Sequence, residues 1–522
     1  MSFQLTYSTM FNPPAELHQR FEQALSDVRA TMGQRHALFI DGRDIPTTAH
    51  SKHSSPINRD WLLGEFACAT TSEVDAAFAA AKKAMPMWRK TPALERIKLL
   101  RRAGELIEER VYHIAAALSL EVGKNRMEAL GEAQETADFF YAYCDSFIAQ
   151  QQFDHALPND PLPDYVSRNR SVMKPYGVWL VITPFNFPFA LAGGPVAAAL
   201  VTGNTVVLKG ASTTPWAGRL LADCLRDAGV PAGVFNYLSG ASSAIGDALV
   251  HHPDVAGITF TGSHAAGMHI ARAQLSGKYP RPCIAEMGGK NACIVTANAD
   301  LDRAALGILR SAFGMGGQKC SALSRLLVHE LVADALIDKL CTAIKAIKIG
   351  DPGRRDTYLG PVAHRQAYDD YANYCAQLRH DGARIVVGAE QLKSGDLAQG
   401  YFVAPTLAEA PLSHPLWREE MFLPILMLHR VKSNHEAMRL ANDSMLGLTA
   451  GVFGSSDEVA WFFDHIEAGV CYANRPQGAT TGAWPGYQPF GGWKGSGNTG
   501  KAIASFYYLA QYLREQSQTV VE

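Results

Sequence analysis

Apolar and polar positions follow two rhythms along this chain, and the places where one yields to the other mark its elements. From about residue 73 to 119 the apolar spacing is helical, in runs such as Ser72-Glu-Val-Asp-Ala-Ala-Phe-Ala-Ala-Ala-Lys-Lys and Ala93-Leu-Glu-Arg-Ile-Lys-Leu-Leu, which predicts long amphipathic helices. A further helix is expected over Arg126 to Ala149. Residues Asp154 to Pro163 are polar and proline-rich, and after them Tyr165 to Met173 alternates with period two, the pattern of an exposed strand on an arm leaving the main body. Short apolar runs then alternate with helical ones. Strands are predicted at Gly177 to Thr183, Asn204 to Lys209, Val234 to Leu238 and Gly257 to Thr261, with helices at Pro188 to Val201, Pro215 to Ala228, Ala244 to His251 and Ala265 to Leu275. Such alternation demands a parallel sheet covered on both faces, which binds ligands, typically a nucleotide, at the carboxyl ends of its strands. A second alternating stretch, from about Cys293 to 460, predicts another α/β unit.

Length and charge narrow the picture. A chain of 522 residues exceeds one ordinary core and implies two or three domains. With 48 Lys plus Arg against 50 Asp plus Glu, the formal charge of −2 offers no basic footprint for nucleic acid. The cysteines at 68, 144, 224, 283, 293, 320, 341, 375 and 471 are scattered without a C-x-x-C pair, which argues against a metal site and a disulfide framework and for a reducing cytoplasm. The opening Met-Ser-Phe-Gln-Leu-Thr-Tyr lacks a basic region followed by an apolar one, so no secretory signal is expected, and nearby acidic residues argue against a transit peptide. Between Lys174 and Lys209 lie 34 residues without a formal charge. Pro184, Pro188, Pro195 and Asn186 interrupt them, so a strand, a loop and a buried helix are expected there in place of a membrane span.

Three short segments carry chemistry. Leu309 to Ser324, Leu-Arg-Ser-Ala-Phe-Gly-Met-Gly-Gly-Gln-Lys-Cys-Ser-Ala-Leu-Ser, presents Cys320 after a glycine-rich turn and beside small neighbours, as a reactive thiol requires. A lone cysteine is more often simply buried. Val181 to Phe189 places the amide of Asn186 between two aromatics, and Glu286-Met-Gly-Gly-Lys-Asn291 sets a carboxylate before a glycine pair. Together they supply a nucleophile, an oxyanion donor and a general base, the set that acyl chemistry through a thioester needs. Phe260-Thr-Gly-Ser-His-Ala-Ala-Gly267 follows a predicted strand and opens a helix, where a pyrophosphate could bind; a packing turn reads equally well. Lys209 could donate to ribose hydroxyls or be a solvated surface lysine. Arg418-Glu-Glu-Met-Phe-Leu-Pro424 suits a second ribose and a flat ring, or is an exposed acidic turn.

The order Pro-Phe-Asn-Phe-Pro, Phe-Thr-Gly-Ser, Glu-x-Gly-Gly-Lys-Asn, Gly-Gln-Lys-Cys, Glu-x-Phe-x-Pro and Pro-Phe-Gly-Gly, spread over nearly the whole chain, resembles the aldehyde dehydrogenase superfamily. The resemblance implies an α/β fold with a Rossmann-type cofactor domain (1–156 and 176–285), an α/β catalytic domain (286–470), and an oligomerisation arm with a C-terminal anchor loop and tail (157–175 and 471–522). It implies attack on an aldehyde by Cys320, an oxyanion held by Asn186 and the Cys320 N–H, and hydrolysis by water that Glu286 activates. It assigns Thr183, Pro184, Phe185, Lys209, Ser212, Gly262, Ser263, Glu420 and Phe422 to a dinucleotide. Gly210-Ala-Ser212 stands where the family usually has Pro, a small residue and an acid, so NADP is admissible beside NAD.

One branch is resembled more closely, the 1-pyrroline-5-carboxylate (glutamate semialdehyde) dehydrogenases, through Phe11-Asn-Pro-Pro, Glu121-Val-Gly-Lys-Asn-Arg-Met-Glu128 and Thr481-Gly-Ala-Trp-Pro-Gly-Tyr-Gln-Pro-Phe-Gly-Gly492. By that resemblance Gly482, Ala483 and Ser321 grip the substrate α-carboxylate, Phe187 and Phe490 flank its aliphatic part, and Glu128 or Glu132 meets its ammonium. The loop before Thr481 is longer than the pattern by Gln477-Gly-Ala-Thr. The expected reaction is oxidation of glutamate γ-semialdehyde to glutamate, the second step of proline catabolism, with a proline dehydrogenase as a possible partner. The alternatives are another semialdehyde, including one carried on coenzyme A, or a non-catalytic protein on the same fold. The aromatic tail from Lys501, including Ser505 to Leu513, reads as a strand that pairs with the Tyr165 to Met173 arm across a subunit boundary, so a homo-oligomer of at least two chains is expected.

Overall fold

The computed structural model describes residues 4–6, 9–11, 13–478 and 484–522. Two seven-stranded sheets organise it. In the first, the strand order is Cys283–Glu286, Val255–Thr261, Val178–Ile182, Thr205–Lys209, Phe235–Leu238, Leu38–Ile40, Arg43–Ile45. The first five are parallel and the last two add antiparallel. Every residue of Thr205–Lys209 and Phe235–Leu238 is buried, which explains why those runs are apolar without alternation. From Val178–Ile182 the chain proceeds outward on one side through Thr205–Lys209 and Phe235–Leu238, then returns to the other side as Val255–Thr261. The loops after Ile182 and Thr261 therefore diverge at a topological switch point and leave a crevice between them.

In the second sheet the order is Arg384–Val387, Thr406–Glu409, Ile425–Val431, Leu323–His329, Asn291–Val295, Thr449–Phe453, Val470–Ala473, parallel apart from its first pair. Met287 to Lys290 runs directly from the carboxyl end of the first sheet to the amino end of the second, so residues at this junction face both units.

Helix Arg126–Ala149 has the bounds expected from its pattern. Asn125 caps it, accepting from the N–H groups of Met127 (3.1 Å) and Glu128 (3.0 Å). It packs against Ala93–Glu109, Val111–Val122 and Ala190–Val201. Against the last of these the approach is so close that a Cβ on Gly193 would lie 2.3 Å from Thr136 Cγ2.

The arm differs from expectation in three respects. Its sheet starts earlier, because Asp154–Leu157 pairs with Ser167–Pro175. The tail strand Leu513–Val521 pairs antiparallel with Ser167–Pro175 of its own chain, from Leu513 opposite Pro175 to Val521 opposite Ser167, and not across a subunit boundary. Ser505 to Tyr512 is not a strand. It turns into a 3-10 helix at Leu509–Tyr512, and its buried Tyr508 and Tyr512 hydroxyls bond each other at 2.9 Å, with Tyr512 also 2.9 Å from Thr259 Oγ1. That anchorage in the first core delivers the tail beside Pro175, within reach of its own arm. Strand Val470–Ala473 also carries the second sheet past residue 470. Among the described residues no helix is long and apolar enough to cross a membrane.

Candidate active site

Helix Leu301–Phe313 ends in the turn Gly314–Gly317, where Met315, Gly316 and Gly317 have φ of 52°, 64° and 67°. A Cβ on Gly317 would meet Leu423 O at 2.4 Å, so only glycine fits this close crossing. The turn presents Cys320 just before strand Leu323–His329. Side chains clamp the backbone on both sides of the sulfur. Asn291 Nδ2 donates to Cys320 O (2.7 Å) and Ala322 O (2.8 Å), and Asn186 Nδ2 donates to Gln318 O (3.0 Å). The expected amide and thiol are thus joined by a direct bond between their loops. Burial, then the Glu420 and Glu286 carboxylates, push the Cys320 thiol up to about 12.

Glu286 ends strand Cys283–Glu286. The segment 492–498 braces it: Met287 N donates to Ser496 O (2.8 Å), and Ala285 N to Asn498 Oδ1 (2.8 Å). Its Oε2 is buried and finds no hydrogen-bond partner among the described residues. Burial raises the carboxyl to about 8 against an opposing bond from the Gly492 N–H.

Two cavities meet at Cys320. The larger, 490 Å³, is lined by every residue expected at the dinucleotide: Thr183, Pro184 and Phe185 after Ile182, Lys209 at the end of the next strand and Ser212 after it, Gly262 and Ser263 after Thr261, and Glu420 with Phe422 from the second unit. Lys209 is buried and donates to Ser242 Oγ (2.9 Å), with its amine drawn down to about 8 by burial. It is no solvated surface lysine. Ser263 caps helix His264–Leu275, accepting from Ala266 N at 3.3 Å, and so turns that helix's positive end to the cavity. Glu420 Oε1 accepts from Gly289 N (2.8 Å), and a Cβ on Gly288 would lie 1.9 Å from its Oε2. Burial lifts this carboxyl to about 7. Phe422 meets Phe185 edge to face at 5.7 Å. A buried amine, a helix N-terminus, a half-buried carboxylate and an aromatic pair around one cavity fit a dinucleotide.

The smaller cavity, 70 Å³, is bounded by Cys320, Ser321, Phe187, Phe490, Leu191, Phe139, Trp484 and Glu135, among others. Its walls are mostly apolar, with the sulfur at the boundary it shares with the larger cavity.

Comparison with known proteins agrees with this geometry. The profile of the aldehyde dehydrogenase family matches residues 46–517. The chain belongs to that family. A 1-pyrroline-5-carboxylate dehydrogenase of Bacillus pumilus is 37% identical over 513 residues, covering 97% of this chain and 96% of the relative. One of Geobacillus thermodenitrificans is 36% identical over 512 residues, with 97% and 96% coverage. Among solved structures, 1-pyrroline-5-carboxylate dehydrogenase from Thermus with bound NAD matches with a TM-score of 0.93 at 32% identity, over 100% of this chain and 99% of that one. Proline utilization A from Bdellovibrio bacteriovorus matches with a TM-score of 0.90 at 32% identity, over 96% of this chain and 51% of that one.

Within this aldehyde dehydrogenase fold, Glu128 and Glu132, the residues expected at the substrate ammonium, do not line the small cavity. Glu128 is buried against Lys319, Oε1 to Nζ 3.2 Å, and lines a separate 260 Å³ cavity. Glu132 is fully buried, engaged by Lys124 and by two backbone N–H groups. Among the described residues the acidic one that lines the small cavity is Glu135, one turn further along the same helix face. Sequence reasoning also missed Trp484, whose Nε1 donates to Asp138 Oδ2 (2.6 Å). Gly482 and Ala483 lie outside the described residues.

Proposed function

We propose that this aldehyde dehydrogenase oxidises L-glutamate γ-semialdehyde, the open form of 1-pyrroline-5-carboxylate, to L-glutamate with NAD. The observation that carries the reading is the position of Cys320 on the wall common to a dinucleotide-sized cavity and a small apolar one with a carboxylate at its side. The names of the relatives and the NAD bound in the Thermus structure support the substrate and the cofactor. Cys320 as thiolate bonds to the aldehyde carbon, and the resulting oxyanion accepts from the Cys320 N–H and from Asn186. One Asn186 N–H already holds Gln318 O, which leaves the other for the substrate. Bound in the larger cavity, NAD would supply the hydride acceptor for that carbon. Lys209 and Glu420 would hold its riboses, Gly262 and Ser263 its diphosphate, and Phe422 its ring. Glu286 then takes a proton from water, whose oxygen bonds to the acyl carbon as the carbon–sulfur bond breaks. Ser321, Phe187 and Phe490 would position the substrate, with Glu135 in place of Glu128 at its ammonium.

In this reading the first sheet with its helices (up to 153, and 176–286) serves as cofactor domain, the second (287–473) as catalytic domain, and the arm (154–175) with the tail as the surface for a second copy. The outer edges of the arm sheet, unpaired among the described residues, support homo-oligomerisation. The cysteine usage supports a cytoplasmic location, and the match to half of proline utilization A supports a proline-oxidising partner.

Initial rates of NAD and NADP reduction test the substrate. Pyrroline-5-carboxylate should exceed succinate semialdehyde and propionaldehyde in kcat/KM by about tenfold or more, one pocket contact's worth of discrimination. A preference for propionaldehyde would overturn the assignment. Gly288→Ala, whose methyl must displace the Glu420 carboxylate, should raise the KM for NAD about tenfold. An unchanged KM would remove Glu420 from the cofactor site.

A further inference from the structure

We infer that the buried pair Lys124 and Glu132 positions the Asn186 loop for oxyanion binding. The inference rests on the reading of Asn186 given above. Both side chains have 0% exposure and form an ion pair through Lys124 Nζ and Glu132 Oε2. The other oxygen, Oε1, accepts from Phe189 N (2.8 Å) and Ala190 N (3.2 Å). Those groups open helix Ala190–Val201, and the helix's own N-cap, Phe189, offers no side-chain acceptor. A carboxylate from a different helix therefore takes the role of a cap, at the positive end of the helix dipole. Pro188 has no N–H to offer, so Phe189 is the first residue after Pro188 that such an acceptor can grip.

Lys124 reaches the same loop from its other side. Its Nζ stands 3.4 Å from the centroid of the Phe187 ring, which borders the small cavity next to Asn186. Asn186 thus lies between an anchor at 187–190 and its own bond to Gln318 beside the sulfur. A related device fixes the next cofactor loop, where Glu121 accepts from Trp216 N (2.6 Å) and Ala217 N (3.1 Å) at the start of helix Pro215–Asp227. Stability alone does not account for a fully buried ion pair, because well-packed apolar residues usually replace one at little cost to the fold. What the pair supplies is the location of two N–H groups and one ring.

The test separates hydrogen-bond acceptance from charge and from folding. In Lys124→Met/Glu132→Leu the anchor is gone; in Lys124→Met/Glu132→Gln the amide oxygen still accepts both N–H groups. Single-turnover acylation should fall about 10²-fold in the first, the scale of a displaced catalytic group, with NAD affinity near the parent and a melting temperature lowered by the two uncapped N–H groups. In the second it should stay within about fivefold of the parent. Asn186→Ala alone should cost about 10²-fold, and adding it to the Leu variant should cost less than about threefold more, since both act on one interaction. Equal rates for the Leu and Gln variants, or fully additive losses with Asn186→Ala, would overturn the inference. An unimpaired Asn186→Ala would instead sink the oxyanion reading. If the Leu variant does not fold, Glu132→Asp, which withdraws the acceptor by about 1.5 Å, takes its place in the same cycle: a loss that is not additive with Asn186→Ala supports the anchor, and a fully additive one overturns it.

Discussion

Cys320→Ala is expected to reduce aldehyde-dependent NAD reduction by about 10⁴-fold or more, the scale seen when a covalent nucleophile is removed. The substitution deletes one sulfur and leaves the backbone that Asn291 and Asn186 hold on either side of it, so the fold and NAD affinity should stay near the parent. In the resting protein the thiol is raised to about 12 by burial and by the Glu420 and Glu286 carboxylates. Above its pKa a thiol is ionised and below it protonated, so the thiolate fraction should increase about tenfold per pH unit through the neutral range. Alkylation of Cys320 by iodoacetamide, followed by mass spectrometry on the intact chain, should accelerate with pH in the same proportion. An alanine variant that oxidised aldehyde at the parental rate would rule out a thioester on this residue.

The parts of this site that sequence made legible are those fixed by local pattern. Residues 183–185, 209, 212, 262 and 263 all stand at or just after strand carboxyl ends, and period and turn chemistry locate such ends well, so they converge on one cavity. What remained hidden depends on distance in three dimensions. Glu128, Glu132 and Glu135 lie on one helix stripe, and spacing cannot say which turn meets the cavity; packing at Gly193 and Lys124 decides it. Ser505 to Tyr512 is aromatic and apolar enough to resemble a strand, yet Tyr508 and Tyr512 are one helical turn apart and turn their hydroxyls to a single buried cluster. Over so short a run, periods of 2 and 3 are not distinguishable. The partner of the tail strand is a question of register and chain reach, which residue type leaves open on an exposed sheet.

Glu286→Gln is expected to separate the two halves of the reaction. The variant keeps side-chain size and lacks only the basic oxygen, so Cys320 should still be acylated and a burst of NADH close to the enzyme concentration should appear. Turnover after the burst should then fall about 10²- to 10⁴-fold, the usual worth of a positioned base, and mass spectrometry should find the acyl group on Cys320. The pH profile gives an independent reading. Burial holds the Glu286 carboxyl at about 8, with only the Gly492 N–H acting to lower it. A base works as carboxylate, the form present above that value, so the parental rate of deacylation should rise about tenfold per unit on the acid side and level off above about pH 8. In the glutamine variant that rise should vanish. A variant without a burst would move Glu286 into the acylation step, and a variant retaining the parental pH profile would assign the ionisation to another of the raised carboxyls at this junction, with Glu420, at about 7, the nearest in value.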